Sequence, residues 1–215
     1  MKVALILSGD VRCFRDCYPS LESNVLNYND CDIYMHAYND DSIDDAISLY
    51  KPKSLLIDEK KDQNHSISSS CFHNKPPEAD PFSTFCMWSN IKKSFNLVKG
   101  HYDMILKTRY DVKYCEPLRV DRLDPLKLHI PRGGDWREGM FDMLSVSSPL
   151  RMKLYCDLVD RINEYSTIGV PCHSEIMLRY HLESNKVEVN RFDFTVLLRK
   201  KFDKPWIEDR VFTIT

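Results

Sequence analysis

The chain opens on a run that leaves few architectures available. Val3-Ala4-Leu5-Ile6-Leu7 is unbroken apolar sequence rich in β-formers, and it stops at Ser8-Gly9. A strand with one wet face would alternate apolar and polar residues. An unbroken run instead suits a strand covered on both faces, as in a parallel sheet between helices. Two further strands follow, Asp32 to Tyr38 and Ser54 to Asp58. Each is preceded by a helical stretch, first Leu21 to Leu26 after Pro19, then a helix entered through Asn39-Asp40-Asp41-Ser42 and running to Tyr50. Strand and helix alternating through short connections predict an α/β fold with a central, mostly parallel β-sheet flanked by α-helices.

Residues 59 to 82 change texture. They are polar and proline-rich with little apolar periodicity, and read as one long loop. From Ser83 the spacing of Phe85, Trp88, Ile91, Phe95 and Val98 predicts a helix, with Gly100 as its stop. Strands are expected over Asp103 to Lys107, Leu126 to Ile130, Met143 to Val146 and Val187 to Val189, with helices over Pro149 to Ile162 and His173 to Leu182. This makes one domain over residues 1–199. Residues 200–215 read as a charged, aromatic tail or a linker to further C-terminal domains.

Composition excludes several functions. Lys plus Arg is 30 against 32 for Asp plus Glu, so no basic excess exists to bind nucleic acid through bulk charge. No apolar run is long enough for a transmembrane segment, and the start lacks the shape of a secretory leader, so the expected location is cytoplasmic. The 8 cysteines include no C-x-x-C pair, which argues against a zinc ribbon and for reduced thiols. Only 6 glycines are present, and neither G-x-G-x-x-G nor a Walker loop occurs, which removes the usual glycine cradles for phosphate.

In open α/β sheets, ligands sit beyond the carboxyl ends of the strands. After the first strand come Ser8, Gly9 and Arg12; the glycine permits close backbone approach, and the arginine can bind phosphate or carboxylate, although a plain turn with solvated arginines uses the same residues. Asp111 follows the strand ending at Lys107 and can ligate a hard divalent cation. Arg109 beside it can offset diphosphate charge, or the two can simply pair with each other. Lys93 can face a nucleotide phosphate from its helix. The loop Pro131 to Gly139 holds three of the six glycines together with Asp135 and Trp136, and leads to Asp142 in an apolar setting. His173 and Glu175 are a possible ligand and base, or the start of a capped helix with an acid in its first turn. Glu78-Ala79-Asp80 imitates a D-x-D metal motif but sits where acids commonly begin a helix.

Four segments, in this order, carry a family resemblance: Leu7-Ser8-Gly9-Asp10-Val11-Arg12, then Asp32-Ile33-Tyr34-Met35-His36-Ala37-Tyr38, then Tyr102-Asp103-Met104-Ile105-Leu106-Lys107-Thr108-Arg109-Tyr110-Asp111, then Pro171-Cys172-His173-Ser174-Glu175. Their order and spacing resemble the GT-A type glycosyltransferases of large DNA viruses, which build capsid glycans. The resemblance extends to about Arg199. It implies a GT-A-like single domain that moves a hexosyl group from a UDP-sugar donor to a glycan or glycoprotein acceptor in the host cell cytoplasm. It implies Mn²⁺ (or Mg²⁺) on the diphosphate, with Asp111 and His173 as ligands. Ser8, Gly9 and Arg12 would lie by the nucleotide, joined by Lys93 and Arg109 as phosphate-facing candidates from the residues themselves; if the reaction inverts rather than retains, Asp142, Glu175 and Asp135, in that order, are the candidates for the base that deprotonates the acceptor. One departure stands out: Arg109 occupies the place of the first acid of D-x-D. That keeps open a catalytically weak glycan- or nucleotide-binding module, beside another α/β nucleotide-dependent transferase.

Overall fold

A computed structural model describes residues 1–60 and 66–198, and the backbone of residues 210–211. The strands are β1 (Lys2–Leu7), β2 (Asp30–Tyr38), β3 (Ser54–Asp58), β4 (Met104–Thr108), β5 (Val112–Tyr114), β6 (Leu128–Pro131), β7 (Ser145–Ser147), β8 (Val189–Phe192), β9 (Val196–Leu198) and β10 (Arg210–Val211). The helices are α1 (Phe14–Asn24), α2 (Ile43–Tyr50), α3 (Ser69–His73), α4 (Pro81–Asn96), α5 (Pro149–Cys156), α6 (Ile162–Thr167) and α7 (Ser174–Ser184).

The main sheet has seven strands in the order β3-β2-β1-β4-β7-β6-β8. Its first four are mutually parallel, with Val3 facing Cys31 on one side and Met104 on the other. β7 then runs antiparallel to both β4 and β6, and β8 returns parallel to β6. Val3 to Leu7 are completely buried, as expected of a strand covered on both faces. The crossovers through α1 and α2 step one way along the sheet, whereas the return from β3 to β4 passes back over β1. Right-handed crossovers therefore put α4 on the opposite face. There α4 packs against β1, β2, β3 and α5, with Trp88 wholly buried and its ring 5.1 Å from that of Tyr155.

Several boundaries differ from the sequence expectation for identifiable reasons. α1 starts at Phe14 and carries Pro19 inside it, so the proline does not mark a helix start. Residues 59–82 are not one loop: they contain α3 and the first turn of α4, whose N1 position is Pro81 and whose N-cap is Asp80. The expected helix from Pro149 to Ile162 breaks after Cys156 into a 3₁₀ turn, Asp157–Arg161, before α6. β5 and β9 form an antiparallel pair, joined on the β9 side by β10, in a second small sheet. Three-residue strands are too short for a period to register. Apart from β10, the tail after residue 199 lies outside the described residues, as do residues 61–65. Among the described residues no helix is long and apolar enough to cross a membrane.

Candidate functional site

Because β2 and β3 lie on one side of β1 and β4 on the other, the carboxyl ends of β1 and β4 diverge into a crevice, the usual ligand position in open α/β sheets. A cavity of about 340 Å³ opens there. Ser8, Gly9, Asp10 and Arg12 line it from the β1 end, Lys107, Arg109 and Asp111 from the β4 end, and Phe82, Ser83, Cys86, Met87 and Asn90 from α4. Gly9 has φ of 101°, a left-handed conformation that favours glycine, and its N–H donates to the carbonyl of His36 at 3.2 Å. The turn is thereby tied to β2.

The β4 side is held by tyrosines. Tyr110 is buried against Tyr50, edge to face at 5.6 Å, and its hydroxyl donates to the carbonyl of His36 at 2.9 Å. Tyr114 donates to Thr108 Oγ1 at 2.7 Å. Between these anchors, Arg109 donates from Nε and Nη2 to both oxygens of Asp111, each at 2.8 Å. Arg12 Nε lies 3.6 Å from the same carboxylate. Lys60 completes the rim by donating to Asp10 at 2.8 Å. The cavity therefore carries four cations, Arg12, Lys60, Lys107 and Arg109, against Asp10 and Asp111.

A second cluster adjoins the first through Lys107. This lysine is 1% exposed, and its ammonium donates to the backbone carbonyl of Asp142. Burial draws its pKa down to about 8, while Asp142 opposes the shift. The Asp142 side chain is 5% exposed at residue level, and Glu175, on the first turn of α7, is 7% exposed. Burial, reinforced by the Asp142 charge, pushes the Glu175 carboxyl up to about 8. Glu175 accepts from the backbone N–H of Trp136, and the carbonyl of Glu175 accepts from Met140 at 3.0 Å. Gly139 is required for this approach: a Cβ there would stand 2.7 Å from the Cβ of Glu175. Asp135 is tied to Arg191 at 2.8 and 2.9 Å and accepts from the N–H of Phe141 at 2.7 Å. The ring of His173 stacks on Trp136 at 4.0 Å, and its Nδ1 accepts from the N–H of Glu175 as the N-cap of α7.

The structure thus gathers Ser8, Gly9, Arg12, Arg109 and Asp111 around one cavity, and Asp135, Asp142, His173 and Glu175 into a neighbouring group. Lys93 goes elsewhere: it donates to Asp58 at 2.5 Å, beside His36 at 2.9 Å from the same oxygen, and does not line the cavity. Lys107 lines the cavity without being among the candidates read from the sequence, although a lysine inside an apolar strand is a visible signal. Glu78-Ala79-Asp80 divides as helix chemistry predicts: Asp80 caps α4, and Glu78 pairs with Arg137 at 3.0 Å.

The donor chemistry for Mn²⁺ or Mg²⁺ can be tested against these positions. Both oxygens of Asp111 are committed to Arg109, and the charges acting on His173 come from Asp142, Glu78, Arg137 and Glu138. Among the described residues no three His, Cys, Asp or Glu side chains are placed to hold one metal ion together. As placed, these side chains do not make a divalent-cation site.

No family model matches the chain, and no curated protein matches it. Among solved structures, the apo form of mouse xyloside xylosyltransferase 1 aligns over 90% of this chain and 86% of its own, with a TM-score of 0.53 and 10% sequence identity. At that identity the likeness concerns the fold: an α/β single domain, mostly parallel in its central sheet, of the GT-A-like kind.

Proposed function

We propose that the chain is a glycosyltransferase, moving a glycosyl group from a UDP-sugar to a hydroxyl of a glycan or glycoprotein acceptor. The observation that carries this is the juxtaposition of a cation-lined cavity at the sheet's switch point with a buried carboxyl pair. Displacing a nucleoside diphosphate from an anomeric carbon needs both: cations where charge develops on the leaving group, and a base for the acceptor hydroxyl. Arg12, Arg109 and Lys60 supply fixed positive charge around the cavity, and the Gly9 turn leaves backbone room beside it. The four-motif resemblance favours uridine as the nucleoside and a capsid glycan as the acceptor.

The carboxylates divide by environment. Asp135 is neutralised by Arg191 and orders the loop that carries Trp136. Glu175 holds a proton near neutral pH and is therefore a poor base there. Asp142 is left to accept the acceptor's proton, with Glu175 close enough in the same buried group to feel its charge.

The test is UDP release from a panel of UDP-sugars, with and without a glycan acceptor. Asp142→Asn is expected to reduce turnover by about 10²- to 10⁴-fold, the usual contribution of a general base. UDP affinity, measured by calorimetry, is expected to persist in that variant. Wild-type turnover in the Asn variant would sink the assignment of Asp142. The Arg109–Asp111 pair favours one rival, a binding module of the same fold, which is the outcome if the wild-type chain binds UDP and turns over no donor.

A further inference from the structure

Lys107 poses a problem that packing does not answer. It is the penultimate residue of β4, between Leu106 and Thr108, all three completely or almost completely buried. Taking an ammonium out of water is strongly unfavourable unless partners replace its hydration. An ammonium has three donors. Here one goes to the carbonyl of Asp142, and the ring of Tyr155 lies 6.0 Å away. Among the described residues no carboxylate makes an ion pair with it, although Asp142 and Asp111 act on it from a distance. A methionine would fill the same space without any of that penalty. Yet Lys107 is part of the cavity wall, beside Arg109 and Asp111.

We propose that Lys107 is a catalytic residue of the donor site: its ammonium binds the distal phosphate of a nucleoside diphosphate and stabilises the charge that appears there when the glycosyl bond breaks. The inference rests on the proposed donor reading and adds an atom-level assignment to it. The electron pair of the glycosyl bond leaves with the diphosphate oxygen, and Lys107 meets that charge through its remaining N–H groups without giving up a proton. Being anchored on the Asp142 carbonyl, it needs no reorganisation when charge develops, which is where electrostatic stabilisation is most effective. The same anchor fixes the spacing between the leaving group and the candidate base.

Calorimetric titration with UDP and with UMP separates this role from a structural one, because only UDP carries the distal phosphate. Lys107→Met is expected to weaken UDP by about 10- to 100-fold, the range for a lost charge-assisted hydrogen bond, and to leave UMP within about threefold. Equal weakening of both nucleotides, or of neither, overturns the proposal. A second readout needs no variant. Lys107 is the buried lysine among the described residues, so its ¹³Cε signal in lysine-labelled wild-type protein stands apart. That signal is expected to shift on adding UDP and to stay put with UMP; a shift with both or with neither counts against the assignment. If wild-type protein binds neither nucleotide, the donor reading itself falls, and this inference with it.

Discussion

Glu175 shows how one side chain ties stability to protonation. Its carboxyl is buried beside the Asp142 charge, and its folded-state pKa is raised to about 8. The unfolded chain gives an ordinary glutamate, with a pKa of about 4.3. Between these two values the folded protein binds the extra proton. Stability from this group is therefore full at pH below the unfolded value, and it declines as pH rises through the folded one. Glu175→Gln keeps the shape and removes the titration. The variant is expected to melt with a flatter dependence on pH between about 5 and 8, and to be more stable than wild type at the upper end. Thermal melts followed by circular dichroism across that range check this; parallel wild-type and variant curves would refute it. At the same scale, Arg109 and Asp111, two residues apart, read from the sequence either as a diphosphate-neutralising arginine beside a metal ligand or as an ion pair. In the structure they pair with each other, with Tyr110 between them pinned against Tyr50 and His36.

Element α4 links folding to the cavity. It supplies six cavity-lining residues, and its start is set by Asp80, whose carboxylate accepts from the N–H groups of Phe82 and Ser83 at 3.2 and 3.0 Å. Asp80→Ala is expected to destabilise the protein by about 1 kcal/mol, the usual value of an N-cap. Urea denaturation gives that difference directly, and an unchanged midpoint would show that the cap is dispensable. The same element shows what a sequence reveals. Phe85, Trp88 and Ile91 announced the helix through their spacing, and all three are buried. Its beginning was hidden because Pro81 resembles a loop residue until the cap before it is recognised. β1 and β3 were legible for the opposite reasons: one is a pure apolar run, the other a short run bracketed by Pro52 and polar sequence. β5 and β9 were not legible, since each is stabilised by the other across a long stretch of chain and carries no local period of its own. The cavity lining divides the same way. Ser8, Gly9, Arg12 and Asp111 line it from positions just beyond strand ends, where the sequence places candidates, whereas Lys107, inside a strand, lines it only because of which strand borders the cavity.

For the whole molecule, β1 and β4 are the centre of cohesion. β1 is paired on both sides, and every residue from Val3 to Leu7 is buried. β3 and β8 are the sheet's outer strands, with partly exposed side chains throughout most of their lengths. Hydrogen exchange is expected to follow this order: amides of β1 and β4 open only with global unfolding, and those of β3 and β8 exchange earlier through local opening. Comparable protection across all four strands would contradict it. The reversal of direction between β4 and β7 has a consequence of another kind. Everything that lines the cavity precedes residue 112, and every member of the carboxyl group follows residue 134. The two stretches meet in the main sheet along one short ladder, Ile105 to Ser147, Leu106 to Val146 and Lys107 to Ser145. That ladder is the seam between the two stretches. Under the proposed function, substitutions in the later stretch would reshape what approaches the carboxyls while the earlier stretch keeps its ligand.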